Sequence, residues 1–585
     1  MPARSIHATL TRHFLRRFLE NDLISPEADR SQLLAIIGAA LFSVMLLVTV
    51  FMSFQYVMAV RTPSQLALAA LNDKYFYLSL SMIVSALLAV VQWDSLVVDI
   101  RDAAILEPLP VRPTAIRAAK VAAVATLGAG AAVIVNVMPT LVFPWLLVYH
   151  TRVPSSAMLV LIAAHAAVTF AAAGFAYAAI VALRETLAAL FPARWLLVLS
   201  PTVQGTLIVV LGSALLLTPA ASTRIAQRGF STAHMTLPPM WFLGVYEAAA
   251  GGIVRHAPQP PRLRARALAA ESQAAAAYDR RTPQFAVLAR RAAIGSGVVL
   301  LLGVTSYAWN ARRFPSIPTV RGRRKRWTAG EQLVRLLVAR GQTVRAGFFF
   351  TLAATWRSGL HRLTLACAGS ASVSAAVVIL SGVDLGTAAS TTTVPGAVFA
   401  IQPLFYGALI VAFRHAIRVP AELRANWAVE LAWRNREGEF LLGVRRAALA
   451  GIVVPALLLV LPLYAYLLGI PTAIAHAVLG LAGATLLLEI LLLSYEKVPF
   501  TCTYVPSDNL TAFGIPYTVA FLIGASVFAA MERAALQDPI AWFRLLGLLA
   551  VSVAALRVAS TRRAAGPPVD FNEAPVTTQR LGLHT

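Results

Sequence analysis

The stretch IVVPALLLVLPLYAYLL, Ile452 to Leu468, carries no charged residue and is apolar on every face. As a helix rising 1.5 Å per residue it would cover about 25 Å, most of a hydrocarbon core of about 30 Å. A strand of a membrane barrel alternates apolar and polar side chains over about ten residues, so this pattern excludes that alternative. A helix also pairs its backbone N–H and C=O groups within itself, as lipid requires. Comparable runs recur along the chain. Of its 585 residues 58% are hydrophobic and only 13% charged, and the mean hydropathy is +0.71. Soluble domains are about a quarter charged. The expected fold class is therefore all-α: a polytopic integral membrane protein of the plasma (inner) membrane.

Apolar runs predict twelve spans, near 33–60, 75–93, 119–148, 156–183, 196–217, 292–310, 363–382, 395–413, 447–468, 473–494, 512–531 and 541–558. With both termini inside, the inner loops hold most of the Lys and Arg residues, as the positive-inside rule demands. The exception is a long external loop, 218–291, which is itself rich in arginine; loops of that length translocate largely regardless of charge. The first 32 residues lack an uninterrupted apolar core, so they do not read as a cleavable signal peptide. They read instead as a cytoplasmic amphipathic helix, with Ile6, Leu10, Phe14 and Phe18 at helical spacing and Arg12, Arg16 and Arg17 on other faces. Ser25 and Pro26 look like an N-cap and first-turn proline for the first span.

The basic stretch RRFPSIPTVRGRRKRW, Arg312 to Trp327, contains Pro315 and Pro318 and reads as a cytoplasmic linker. It separates a first six-span half, 33–310, from a second, 363–558. The linker region 311–362 ends in another amphipathic helix, where Thr328 and Glu331 have capping-box spacing. A cytoplasmic tail, 559–585, closes the chain. After the second span of each half comes a polar loop: WDSLVVDIRDAAILEPLPVRPTAIRAAK, Trp93 to Lys120, and FRHAIRVPAELRANWAVELAWRNREGEFLLGVRR, Phe413 to Arg446. Both mix acids and bases, carry apolar residues at helical spacing and return into a long apolar helix. The halves share this layout with little sequence identity.

The formal charge of +24 sits in short clusters beside the spans. That placement points to membrane lipid as the partner and not to nucleic acid, which would need a basic stripe with interleaved aromatics. Two cysteines, Cys367 and Cys502, provide neither a disulfide framework nor a thiolate metal site. No Gly-Lys dipeptide occurs, so no phosphate-cradling ATPase loop is encoded, and the H-E-x-x-H, C-x-x-C and G-x-S-x-G patterns are missing too. No catalytic residue, metal ligand or cofactor site is expected in this chain, and it does not read as an enzyme.

Ionisable residues inside spans mark coupling sites when they occur, because burying charge in hydrocarbon is costly. The sequence suggests three: Glu489 in LLLEILLLS, His165 and His476. Glu489 reads either as a paired acid near the cytoplasmic end of its span or as an ion-coupling site. The histidines read as ordinary helix–helix hydrogen-bonding groups or as a polar site. LPPMWFLGVYE, Leu237 to Glu247, is too short to cross and is expected at the outer interface, with Trp241 and Tyr246 at headgroup level. KVPFTCTYVPSD, Lys497 to Asp508, is expected to be an extended cytoplasmic loop, open to use as a docking surface.

The first of the two polar loops resembles the corresponding segment of ABC-2 type permeases, the membrane subunits of ATP-binding-cassette exporters. The resemblance rests on the charged cluster Asp99, Arg101 and Asp102, the turn LEPLPV from Leu106 to Val111, and the apolar helix opened by Ile116 and Lys120. Where the family often has a Gly-Thr pair, this chain has Ala103 and Ala104. The likeness implies that Asp99, Arg101, Asp102, Leu106, Glu107, Pro108, Leu109 and Pro110 form a coupling helix seated in a cytoplasmic ATPase subunit. By position, Arg418, Glu422 and Arg424 would serve the second half. ATP and Mg would then be bound on the partner subunit and no cofactor on this chain. The alternatives are an ATP-independent secondary carrier, for which the coupling acids look too few, a membrane enzyme of lipid-linked substrates, and a scaffold.

Overall fold

The computed structural model describes residues 3–19, 30–58, 61–93, 111–149, 153–222, 230, 232–258, 265–312, 332, 340–383, 394–421, 426–432, 437–493, 498–501 and 510–563. Helices make up nearly all of them, and no strand occurs among the described residues. Eleven helices there are long and apolar enough to cross a membrane. They fall on eleven of the twelve expected spans. The remaining one, the first, falls on α2 (Arg30–Met58), whose described apolar part, Met45–Met58, is shorter than a crossing. The chain divides into two compact units, Met1–Thr319 and Val320–Thr585.

In the first unit α1 (Ala3–Leu19) lies against the start of α4 (Pro113–Val148), burying Leu10 and Phe14 on Ala119 and Ala123. Lys120 caps this contact from above, its Nζ 4.8 Å from the centre of the Phe14 ring. The second span, α3 (Pro63–Val91), is the most buried element of the unit and packs on α5 (Ser155–Leu190) and α6 (Ala193–Ser222). It begins twelve residues before the apolar run that predicts it. Pro63 sits in its first turn, where a missing N–H costs nothing, and Gln65 Oε1 accepts the Thr62 backbone N–H at 3.2 Å.

The stretch expected as a long external loop is largely helical. α7 (Pro238–Tyr246) continues through a π-helical turn, Glu247–Gly251, then α8 (Ala265–Asp279) and α9 (Thr282–Arg312) follow. α7 packs against α9 and α3, and α8 against α3. Gly244 permits this, since a Cβ there would lie 2.4 Å from Leu288 Cβ and 2.6 Å from the Phe285 carbonyl oxygen. Tyr246 is wholly buried, so it does not serve as the exposed interfacial anchor the sequence suggests, because its ring meets protein before it can meet lipid.

In the second unit α10 (Gln342–Arg357) lies on α14 (Glu437–Ala448), as α1 lies on α4. The two backbones touch at Gly347 and Gly443. The spans are α11 (Gly359–Ser381), α12 (Ile401–Ala416, preceded by the turn Gly396–Phe399), α15 (Val454–Leu468, joined to α14 by the π-helical turn Leu449–Val453), α16 (Ile470–Leu492), α17 (Leu510–Ala535) and α18 (Pro539–Arg563). Between α12 and α14 stands a short helix, α13 (Asn426–Ala432). The expected N-caps at Ser25, Pro26, Thr328 and Glu331 and the basic linker beyond Arg312 lie outside the described residues.

Candidate functional site

Every long helix can bury apolar surface, but a buried charge needs a partner, and such partners show where a membrane protein holds polar groups on purpose. Three polar clusters and one exposed helix stand out.

The first cluster sits in the N-terminal third of α3. Asp73 accepts hydrogen bonds from Gln55 Nε2 (2.9 Å) and from the Tyr56 hydroxyl, both on α2. Its neighbour Lys74 points to the other side of α3 and meets Glu247 of the π-helical turn at 2.5 Å, with side-chain exposures of 1% and 0%. Tyr278 of α8 donates to the other Glu247 oxygen, and the Tyr246 ring lies 4.5 Å below Lys74 Nζ. Gly251 leaves room for this carboxylate: a Cβ there would lie 2.3 Å from Glu247 Oε2. Glu271 of α8 accepts the Ser64 hydroxyl at 2.5 Å at the start of α3. The whole π-turn region is thus pinned to α3 by buried acids. At its margin Asp279 chelates Arg255 at 3.2 and 3.0 Å, and that hydrogen bond raises the guanidinium pKa above its ordinary value.

His165 of α5 lies wholly buried beside this cluster, enclosed by Tyr77, Phe143 and Tyr246 at 5.8, 5.4 and 5.7 Å between ring centres. Neither ring nitrogen has a hydrogen-bond partner among the described residues, so the ordinary helix–helix bond expected of it is not made there.

His476 of α16, in the second unit, occupies the corresponding place on the fourth span. Its Nδ1 stands 2.8 Å from Glu532 Oε1 of α17, both side chains fully buried. The contact is close but off the hydrogen-bond axis, leaving both groups short of aligned partners. The Tyr464 ring meets the imidazole edge-on at 4.1 Å, and Gln402 Nε2 donates to the His476 carbonyl at 3.0 Å. Glu532, which reads from sequence as a scattered external acid, is therefore an interior one.

The third cluster holds Glu489, one turn before the end of α16. Arg557 Nε of α18 donates to Oε1 at 2.9 Å, and Arg445 Nε of α14 lies 3.1 Å from Oε2. Both carboxylate oxygens face guanidiniums. That arrangement fits a structural ion pair; a proton carrier needs an oxygen left open to a donor.

The exposed helix follows the second span of the second unit. Phe500, with a φ of 65°, donates its N–H to the Ile417 carbonyl at 2.9 Å and accepts from Ala421 N–H at 2.9 Å. His361 Nε2 lies 3.1 Å from the Val419 carbonyl oxygen, and the Asn426 amide donates to the Thr501 carbonyl. The described part of the Lys497–Asp508 stretch, Val498 to Thr501, is consequently core and not a free loop. On this base α13 presents Trp427 and Leu431, 67% and 83% exposed. Arg418 is exposed beside it, whereas Glu422 and Arg424 lie outside the described residues, as do Asp99, Arg101, Asp102, Leu106, Glu107, Pro108, Leu109 and Pro110.

Asp73, Lys74, Glu247, Trp427 and Leu431 escape a reading by apolar runs. The Thr62-Pro63 dipeptide with Gln65 is the signal that places Asp73 and Lys74 inside a helix, about 15 Å from its start. For Glu247 no local signal exists, since its partners come from three separate elements. Comparison with protein-family models, with curated proteins and with solved structures finds no significant match.

Proposed function

We propose that this multi-span membrane protein is the permease component of an ATP-binding-cassette exporter of the ABC-2 type, moving an unidentified substrate with energy from a separate cytoplasmic ATPase. The observation that carries the reading is α13. It follows the second span, its base is tied to the core by Phe500, Asn426 and His361, and its outer face offers Trp427 and Leu431 to a partner. A helix tied at its base transmits force, because displacing it must displace α12 and the segment after α16. Exposed Trp and Leu one turn apart are the side chains that fill a pocket on a partner protein. The charged loop Asp99 to Pro110 would serve the first unit in the same way.

The test is co-purification of the full chain with an ATP-binding-cassette ATPase and measurement of the hydrolysis it stimulates. Trp427→Ala with Leu431→Ala, and separately Asp99→Lys with Asp102→Lys, should leave expression unchanged and weaken the complex about tenfold or more. Recovery of no such ATPase with the native chain, or undiminished binding by both variants, overturns the reading.

The His476–Glu532 pair favours a second reading, an ATP-independent carrier linked to protons. The argument that interior acids are too few does not hold, since Asp73, Glu247, Glu271, Glu489 and Glu532 are all buried. If this reading is right, Glu532→Gln in sealed vesicles without any ATPase abolishes uptake driven by a pH gradient. The exporter reading predicts that no such uptake exists.

A further inference from the structure

Two arginines share one carboxylate in the third cluster, so it carries one positive charge in excess. The two cations are not equivalent. Arg445 is buried and its Nη2 is occupied by the Ser560 hydroxyl at 2.7 Å. Arg557 is 47% exposed and engages Glu489 through Nε alone, leaving both terminal nitrogens with no partner among the described residues. It stands on α18, the least enclosed of the candidate spans, at the end of an exposed face formed by Phe543, Gly547, Ala550 and Ala554. A helix of this composition turns such a face to lipid, so the free edge of Arg557 lies where acyl chains give way to headgroups. Glu489 and Arg557 lie in the last turns of α16 and α18, the end of each span followed by the basic segments that topology places inside.

The geometry points to a binding site for the phosphodiester of an anionic phospholipid on the inner leaflet, held by the terminal nitrogens of Arg557. The planar fork matches two phosphate oxygens, and Glu489 fixes the guanidinium plane from behind through Nε. Without the carboxylate, two adjacent cations would repel each other; without the second cation, the carboxylate would cancel the charge that attracts phosphate. The site extends beyond the exporter proposal and does not depend on it.

The test places the purified full chain in phosphatidylcholine nanodiscs with or without phosphatidylglycerol. It reads the Tm and, after transfer to detergent, the phosphatidylglycerol retained in native mass spectra. Phosphatidylglycerol should raise the Tm and remain bound to the native protein. Arg557→Gln should weaken retention roughly tenfold, whereas Arg544→Gln, an exposed arginine near the opposite end of α18, should leave it intact. Arg557→Lys keeps the pair with Glu489 but loses the fork, and it should reduce retention severalfold even if the glutamine variant does not fold. Unchanged retention by Arg557→Lys overturns the site. So does an equal Tm rise with soluble glycerol phosphate in phosphatidylcholine alone, which would make the ligand a free phosphate ester.

Discussion

Lys74 and Glu247 lie 2.5 Å apart in a place that water does not reach, so each is the other's main compensation for lost hydration. Removing one leaves the other as an isolated buried charge, a cost of about 3–5 kcal/mol that exceeds the value of most single contacts. Lys74→Met should therefore lower the Tm of the detergent-solubilised protein by many degrees. Lys74→Met combined with Glu247→Leu should recover much of the loss, because no charge is then stranded. A double variant no more stable than the single one would show that the pair does not act as a unit. From sequence, Lys74 stands only one residue before the apolar run of the second span, and a hydropathy reading leaves it in the preceding loop. The helix extends back to Pro63 because Thr62, Pro63 and Gln65 start it there, and that moves Asp73 and Lys74 into the interior. Glu489, Arg445 and Arg557 show the opposite limit. The acid is visible within LLLEILLLS, but its two partners are some 44 and 68 residues away along the chain, and only the packing of α14, α16 and α18 unites them.

At the scale of elements, each unit begins with an amphipathic helix lying on the start of its third span, and the two units achieve this with different side chains. In the first, Phe14 fits over Ala119 and Ala123. In the second, glycines let the backbones meet: a Cβ on Gly443 would lie 2.2 Å from the Val344 carbonyl oxygen, and one on Gly347 would lie 2.3 Å from that of Phe440. Neither obstacle is a movable side chain end. Gly443→Ala should thus push α10 away from α14 and destabilise the unit by about 1–3 kcal/mol, despite alanine's better helix propensity. Gly130→Ala on α4 meets nothing within 4 Å and should be neutral or slightly stabilising. Thermal unfolding of both variants in the same detergent checks the contrast; equal effects would mean the helices are not in contact there. The amphipathic character of both helices is legible in the sequence from the spacing of Ile6, Leu10 and Phe14 and from its counterpart in the second unit. The glycine contact is not, because one sequence carries no information on which faces of two helices meet. The same limit hides the folded state of the stretch after α6: it reads as loop because Pro238, Pro239 and Gly244 interrupt it, yet those residues start α7 and admit α9.

At the scale of the molecule, the polar clusters divide between two levels within each unit's own sequence of spans. His165, Lys74 and Glu247 lie at the end of the first unit where α3 and α5 begin; His476, Gln402 and Glu532 lie at the end of the second where α12 and α16 begin and α17 finishes. Glu489, Arg445 and Arg557 lie at the other end of that unit. Positive-inside bias assigns the second level to the cytoplasm, because the clusters of arginine in 312–326 and 433–446 follow spans that end there. The alternation of eleven crossings then makes the turn between α17 and α18, Leu536 to Asp538, external. In a chain with Cys367 and Cys502 replaced by alanine, a single cysteine at the exposed Asp538 should react with an impermeant maleimide added to intact cells. Single cysteines within Arg321 to Arg326, or tags at residues 1 and 585, should be reached only after the membrane is opened. Asp538 must be judged by labelling after permeabilisation as well, since it also caps α18 through Ile540 N–H at 3.0 Å and its loss could slow folding. Labelling of Asp538→Cys solely from the inner side would invert the molecule: α13 would then face outward, and a cytoplasmic ATPase could not reach Trp427 and Leu431.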